Sequence, residues 1–487
     1  MRILFLSSEV TPWSKTGGLA DVAGALPVAL AALGHEVRVL TPGYASVPRE
    51  DLKPDGEPLT LHFPFGERTA RFLSLTPAER VTVTFVDEPV SFARAGHYVE
   101  RGHEYGDNAE RFTTFTMAAL TFAQARGFAA DVVHLNDWQT GLGALALKRA
   151  YSRGVLEAAQ CVFTIHNLAY QGNFPRGVVE RLGIPWADYT PEGLEFWHQL
   201  SFLKAGLAFA DAITTVSPTY AREITTREGG FGMDGLLRAR HRVLHGILNG
   251  VDVREWNPAT DVLLPARFSS KDLAGRAACR EALLSRSGLE VRPAAPVFGV
   301  VGRMVDQKGA DLMQQALPPF LESGAGVVVL GSGDGRLEEG WRALERRFPR
   351  QAKVTVGFDN ALAHLIEAGT DFFLMPSRFE PCGLNQMYSL LYGSVPVVRQ
   401  VGGLDDTVVD AAEPNGTGLK FRDATVDGLR WALKRAVELF ARREQYEAVR
   451  RRGMAQDFSW ETAARRYEAV YRGAAPSSLP ATQGTLR

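Results

Sequence analysis

Along most of this chain, short apolar runs ending in polar or glycine residues alternate with segments whose apolar residues recur at helical spacing. Runs at 3–7, 36–40, 132–135, 161–165 and 212–216 form a first series. Runs at 297–301, 326–330, 353–356, 371–375 and 395–398 form a second. Helical spacing fills 21–33, 310–321, 337–348, 361–368 and 384–392. Strands joined through helices pair in parallel, and a parallel sheet needs helices on its faces. The alternation therefore predicts an α/β chain with open parallel sheets. Such sheets bind ligands at the carboxyl ends of their strands. Polar clusters sit there in this sequence: Asn136-Asp137-Trp138, His166-Asn167 and Ser217-Pro218.

A chain of 487 residues exceeds one ordinary core. The irregular stretch 246–258 separates the two series, so the expected domains are 1–248 and 249–457. Trp460, Ala463, Tyr467, Val470 and Tyr471 share one helical face, the pattern of a packing helix over about 458–473. The Ser-, Pro-, Thr- and Gly-rich end, 474–487, is expected to be disordered. Arg450-Arg451-Arg452 reads as a solvated helix end. A formal net charge of −1 argues against a nucleic-acid or anionic-membrane partner. No apolar run approaches the ~18 residues of a membrane helix, and the opening MRILFL is too short for a signal-peptide core. Cys161, Cys279 and Cys382 are scattered and odd in number, which suits a reducing compartment. A cytoplasmic location is the expectation; no feature sets an oligomeric state.

Three glycine-bearing segments are suited to anions. In Lys15-Thr16-Gly17-Gly18-Leu19-Ala20-Asp21 the glycines open backbone N–H groups at a helix start, although an ordinary turn with a solvated lysine fits as well. In Gly302-Arg303-Met304-Val305-Asp306-Gln307-Lys308-Gly309 an arginine fork and a lysine point charge follow a strand end. Two surface cations are the plainer alternative. In Ser377-Arg378-Phe379-Glu380-Pro381-Cys382-Gly383-Leu384 a carboxylate precedes a helix N-terminus, where Glu380 either caps the helix or meets sugar hydroxyls. Turn chemistry alone explains Gly402-Gly403 and Gly416-Thr417-Gly418. A dinucleotide reading of the opening unit fails, since no G-x-G-x-x-G follows the run at 3–7 and 36–42 ends without an acidic residue. No Asp-x-Asp and no zinc-like His/Cys spacing occurs, so no metal site is expected.

Taken together, KTGGLADV at 15–22, HNLAYQG at 166–172, LNGVD at 248–252, GRMVDQKG at 302–309, EPCGLNQ at 380–386 and GGLDDTV at 402–408 resemble the bacterial glycogen synthase and plant starch synthase family. The likeness runs from residue 1 to about 472, with the motifs in the same order. It implies two Rossmann-like domains facing a deep cleft, a GT-B type fold, with the last helix returning to the first domain. It further implies transfer of glucose from ADP-glucose to the non-reducing end of an α-1,4-glucan such as glycogen. Configuration would be retained, with no metal and no cofactor besides the nucleotide-sugar substrate.

By matching motif, the resemblance assigns Lys15, Gly17 and Gly18 to the donor's phosphates, and Asp21 to the substrate-binding residues. It assigns Arg303 and Lys308 to the departing diphosphate, and Gly383 and Leu384 to N–H contacts with the distal phosphate. Glu380 would hold glucose hydroxyls. His166 would lie near the sugar's 6-hydroxyl, its backbone carbonyl toward the anomeric carbon. Asp137, Asn167 and Asn249 would line the sugar and acceptor site, and Cys382 would neighbour the pocket. The chain departs from the family pattern in Asn136, where histidine is usual, and in Leu419, where phenylalanine is usual. Met387 stands where some other glycosyltransferases carry a second glutamate. The competing readings are a catalytically idle sugar-nucleotide or glucan binder, a transferase using UDP-glucose or another acceptor, and a pyridoxal-dependent glucan phosphorylase.

Overall fold

The computed structural model describes residues 1–100, 102–151 and 153–476. The expectation of disorder at 474–487 lies, from Ser477 on, outside the described residues. The described residues divide into two compact units, Met1–Gly250 with the segment 460–476, and Val251–Ser459.

The first unit is built on one sheet. Across it run Leu244–Gly246, Ala212–Thr215, Gln160–Ile165, Val132–Asn136, Arg2–Leu6, Glu36–Pro42 and Val81–Asp87, all parallel. Ile3, Leu4, Phe5 and Leu6 are wholly buried, as strands covered on both faces must be. Leu6 is in register with Leu40 and Leu135, and Thr164 with Asn136. This register delivers residues 7–9, 136–137 and 166–167 to the same sheet edge. Beyond Val81–Asp87 the sheet turns antiparallel through Gly66–Ala78, which pairs with Leu59–Phe63.

Trp460–Tyr471 packs on this unit, burying Trp460, Ala463, Ala464, Tyr467, Val470 and Tyr471. The Tyr471 hydroxyl lies 2.7 Å from His134 Nδ1, and Gln160 Nε2 donates to the Val470 carbonyl at 3.3 Å. Gly250 sits where the helix begins; a Cβ there would come within 2.8 Å of Trp460 backbone.

The second unit carries a six-stranded parallel sheet in the order Ala352–Val356, Gly326–Gly331, Val297–Val301, Phe372–Met375, Val395–Arg399, Leu419–Phe421. Helices Gly335–Arg347 and Asn360–Gly369 start on side-chain caps: Asp334 accepts from the Arg336 and Leu337 N–H groups, and Asp359 from that of Leu362. The helix expected over 310–321 is broken into Ala310–Ala316 and Pro318–Glu322, because Pro318 and Pro319 lack the N–H groups to continue it. The solvated reading of Arg450 is also corrected. It is 8% exposed, donates to the Tyr446 hydroxyl, and lies 3.7 Å from Asp371, an interior ion network. Among the described residues no helix is long and apolar enough to cross a membrane. Each unit is a Rossmann-like α/β domain.

Candidate active site

In the first unit the strand Arg2–Leu6 runs into Ser7, Ser8 and Glu9, all buried. The Glu9 carboxylate gathers the loop that follows. It accepts from the Thr16 N–H and hydroxyl, each at 2.5 Å, from the Gly17 N–H at 3.2 Å and from the Tyr98 hydroxyl at 2.5 Å. The loop feeds helix Gly18–Ala32, which has no side-chain cap. A Cβ at Gly17 or Gly18 would meet nothing within 4 Å, so the backbone there borders open space. Packing does not require these glycines; an approaching ligand would benefit from them. Lys15 and Asp21 pair at 2.6 Å beside the same helix start. Burial raises the Asp21 carboxyl above its ordinary range, and Lys15 offsets part of that rise.

Asp137 and His166 follow neighbouring strands and are locked together. The His166 N–H donates to Asp137 Oδ1 at 2.7 Å, and the Asp137 N–H donates to the Thr164 carbonyl at 2.9 Å. Asp137 takes φ 54° and ψ −177°, a conformation rarely populated by residues with a side chain. Burial pushes its carboxyl up to about 7, against hydrogen bonds from His166 and Asn167 that pull the other way. Burial lowers His166 to about 3, so its ring is neutral near pH 7. Asn167 uses Oδ1 to accept from the Ala169 N–H at 3.0 Å. Asn249, 6% exposed, leaves Oδ1 buried without a partner. Lys15, Gly17, Gly18 and Asp21 thus form one group and Asp137, His166 and Asn167 another. The Glu9 charge acts on both Asp21 and Asp137.

In the second unit, strand Val297–Val301 leads to Gly302 and Arg303, and Asp306–Lys308 forms a tight turn closed by Gly309 at φ 69°. A Cβ on Gly309 would lie 2.5 Å from the Pro376 carbonyl oxygen. That closeness brings the 302–309 and 377–384 loops together. The Arg378 N–H donates to the Gln307 carbonyl at 2.8 Å, and Gln307 Nε2 to the Phe379 carbonyl at 3.2 Å. Lys308 Nζ reaches Glu380 Oε2 at 2.5 Å, and the Ser377 hydroxyl donates to the same oxygen at 3.0 Å. Glu380 therefore does not cap the next helix. Helix Asn385–Tyr392 has Leu384 at its N-cap position and no side-chain cap. The Met387 N–H donates to the Leu384 carbonyl at 2.9 Å, and no side chain caps the N–H groups ahead of it, an arrangement suited to an anion. Gly383 has φ 71°, a reason for glycine that the sequence did not reveal. Cys382 is buried, and its carbonyl accepts from Gln386 Nε2 at 3.0 Å.

Gly402 and Gly403, read as plain turn residues, have a packing role beneath this loop. A Cβ on Gly402 would lie 1.9 Å from the Glu380 carbonyl oxygen, and one on Gly403 2.0 Å from that of Cys382. Sequence reasoning also passed over Glu9 and Tyr98, and gave Ser377 no role of its own. A polar triplet straight after the first strand was the available signal for Glu9; for Tyr98 there was none.

Comparison with known proteins gives a consistent picture. The family model described as starch synthase catalytic domain matches residues 2–239, and that of glycosyl transferases group 1 matches 285–452. The chain is 54% identical over 474 residues to a glycogen synthase of Myxococcus xanthus, covering 97% of this chain and 99% of that one. It is 50% identical over 486 residues to a glycogen synthase of Thioalkalivibrio sulfidiphilus, covering 97% and 99%. Among solved structures, the catalytic domain of starch synthase IV from Arabidopsis thaliana, bound to ADP and acarbose, superposes with a TM-score of 0.90. The two are 32% identical, with 97% and 98% of the chains covered.

Proposed function

The chain belongs to the glycogen and starch synthase family of glycosyltransferases, and from that premise we propose that it transfers glucose from ADP-glucose to the non-reducing end of an α-1,4-glucan. The proposal includes retention of configuration and independence from metals and further cofactors. The observation that carries it is the Lys308–Glu380 pair at 2.5 Å beside the uncapped start of helix Asn385–Tyr392. A sugar-binding carboxylate, a phosphate-binding cation and a helix tip stand together at the carboxyl edge of one sheet. The choice of ADP is supported by the likeness to a starch synthase bound to ADP and acarbose.

The bond to be broken joins the anomeric carbon to a diphosphate oxygen. Negative charge grows on the diphosphate and positive charge on the sugar as it breaks. Lys308 uses one of its three N–H donors on Glu380, which leaves two for phosphate oxygens. Arg303 adds a fork, and the Gly383 and Leu384 N–H groups meet the distal phosphate. These dipoles are held in place before reaction, so they need no reorganisation as charge develops. Glu380 orients the glucose hydroxyls. His166 faces the 6-hydroxyl, with its carbonyl toward the anomeric carbon. Asp137, Asn167 and Asn249 line the sugar and acceptor side; Lys15 and the open backbone at Gly17 and Gly18 approach the phosphates. The leaving diphosphate guides the acceptor to the face it vacates. Three cysteine thiols, all buried, support a reducing, cytoplasmic setting.

The test is incubation with glycogen and either ADP-glucose or UDP-glucose, reading transferred glucose and the anomeric proton coupling of the new linkage. Transfer from ADP-glucose with an α-1,4 product is expected. Preference for UDP-glucose would overturn the donor assignment, and a β-linked product the stereochemistry.

A further inference from the structure

Asn136 ends the strand Val132–Asn136 and is wholly buried. Its Nδ2 donates to the Leu6 carbonyl at 2.9 Å. A carbonyl oxygen only accepts, so the amide nitrogen must lie on that side; the flipped amide would set two oxygens against each other. Oδ1 therefore faces outward, 2.9 Å from His166 Nε2. An amide oxygen also only accepts, so Nε2 must carry the ring hydrogen. Burial keeps the ring neutral, with one hydrogen to place. Nδ1 is thus a bare lone pair. No protein group pairs with it among the described residues, and it is not one of the sealed interior atoms lacking a partner. The bond from the His166 N–H to Asp137 fixes the backbone from which the ring projects.

We propose that Asn136 is a positioning residue that holds His166 in its Nε2–H tautomer, so that Nδ1 accepts a hydrogen bond from a hydroxyl of the bound hexose. This rests on the reading of His166 as facing the donor's 6-hydroxyl. It adds a direction: the sugar donates and the enzyme accepts. Leu6, at the end of the first strand, is the anchor of the arrangement through its backbone. The site thereby selects a donor carrying O–H at that position over one carrying only an acceptor.

Protein with nitrogen-15 in its histidine rings tests this by long-range proton–nitrogen correlation between pH 6 and 8, with His166→Gln assigning the signal. A single Nε2–H tautomer at His166 is expected; Nδ1–H, or an exchanging mixture, would overturn the proposal. In Asn136→Leu the second tautomer should appear. Should that variant fail to fold, the unsubstituted protein's spectrum still decides. A second arm compares ADP-glucose analogues with hydrogen or fluorine in place of the 6-hydroxyl. Both should lose roughly tenfold or more in kcat/KM, since fluorine cannot donate. Recovery with fluorine alone would show that Nδ1 carries the hydrogen, and would overturn the proposal. Nδ1–H in an active transferase sinks this inference and leaves the function standing. An Nε2–H ring in a protein that transfers from no nucleotide sugar overturns the function and, with it, the contact to the hexose, leaving only the tautomer held by Asn136.

Discussion

Asp137 shows how a single residue couples stability to chemistry. Its carboxyl is buried and titrates near 7 in the folded protein, against about 3.9 in an unfolded chain. Between those values the folded state keeps a proton that the unfolded state has released, so this group makes stability fall as pH rises from about 4 to about 7. Asp137→Asn removes that dependence. In urea unfolding, the variant's advantage should grow from nothing near pH 4 to at most ~4 kcal/mol above pH 7. A difference that does not change with pH would contradict the assignment. The same variant should be slow in transfer, because the carboxyl lines the proposed sugar site. At this scale the sequence was partly legible. Asp137 and His166 stood out because polar residues follow apolar strands, whereas the role of Asn136 depends on the Leu6 carbonyl, more than a hundred residues away in the chain. Gly383 drew notice as an odd helix start; its positive φ supplies the reason.

Loops, in contrast to strands, hid their supports. The strand at 297–301 was placed residue for residue, and Arg2–Leu6 differs from expectation by one position, because an apolar run bounded by polar residues defines a buried strand locally. What holds the loops at 15–18 and 380–384 is not local. Glu9 gathers Thr16, Gly17 and Tyr98 through part-buried hydrogen bonds, and a hydrogen bond to a charged group is worth about 1.5–3 kcal/mol. Glu9→Ala should therefore loosen the 15–18 loop, raising KM for the donor more than it lowers kcat. A change confined to kcat would count against a loop-holding role. Gly403→Ala should displace the 380–384 loop, since its Cβ would lie 2.0 Å from the Cys382 carbonyl. A loss of ~1–3 kcal/mol and a clear fall in turnover are expected. Wild-type turnover would show that the loop accommodates the methyl group without consequence. The antiparallel strands at 59–63 and 66–78 went unread, lacking the strand–helix alternation that marks the parallel ones.

At the scale of the molecule, each of the two units carries polar groups at the carboxyl ends of its parallel strands. One carries neutral imidazole, a high-pKa carboxyl and open backbone; the other carries cations, a carboxylate and a helix tip. The first unit depends on the chain's end, where Trp460–Tyr471 buries an aromatic face and reaches His134. Removing residues 460 onward should lower the thermal transition of that unit and open it first to limited proteolysis. An unchanged calorimetric profile would contradict this dependence. The whole-chain alternation was legible because it is a repeated local pattern; the supports that orient the site are contacts between distant segments and leave no local trace.

The central claim is that side-chain cations and a helix tip, without a divalent ion, stabilise the departing diphosphate. The most direct measurement is the single-turnover rate of glucose transfer from ADP-glucose to glycogen in EDTA, for the unsubstituted protein and for Lys308→Ala. Full activity of the former in EDTA is expected, with the variant slower on the order of a hundredfold at unchanged melting temperature. Activity lost in EDTA and restored by magnesium, or a near-normal rate in Lys308→Ala, would contradict it.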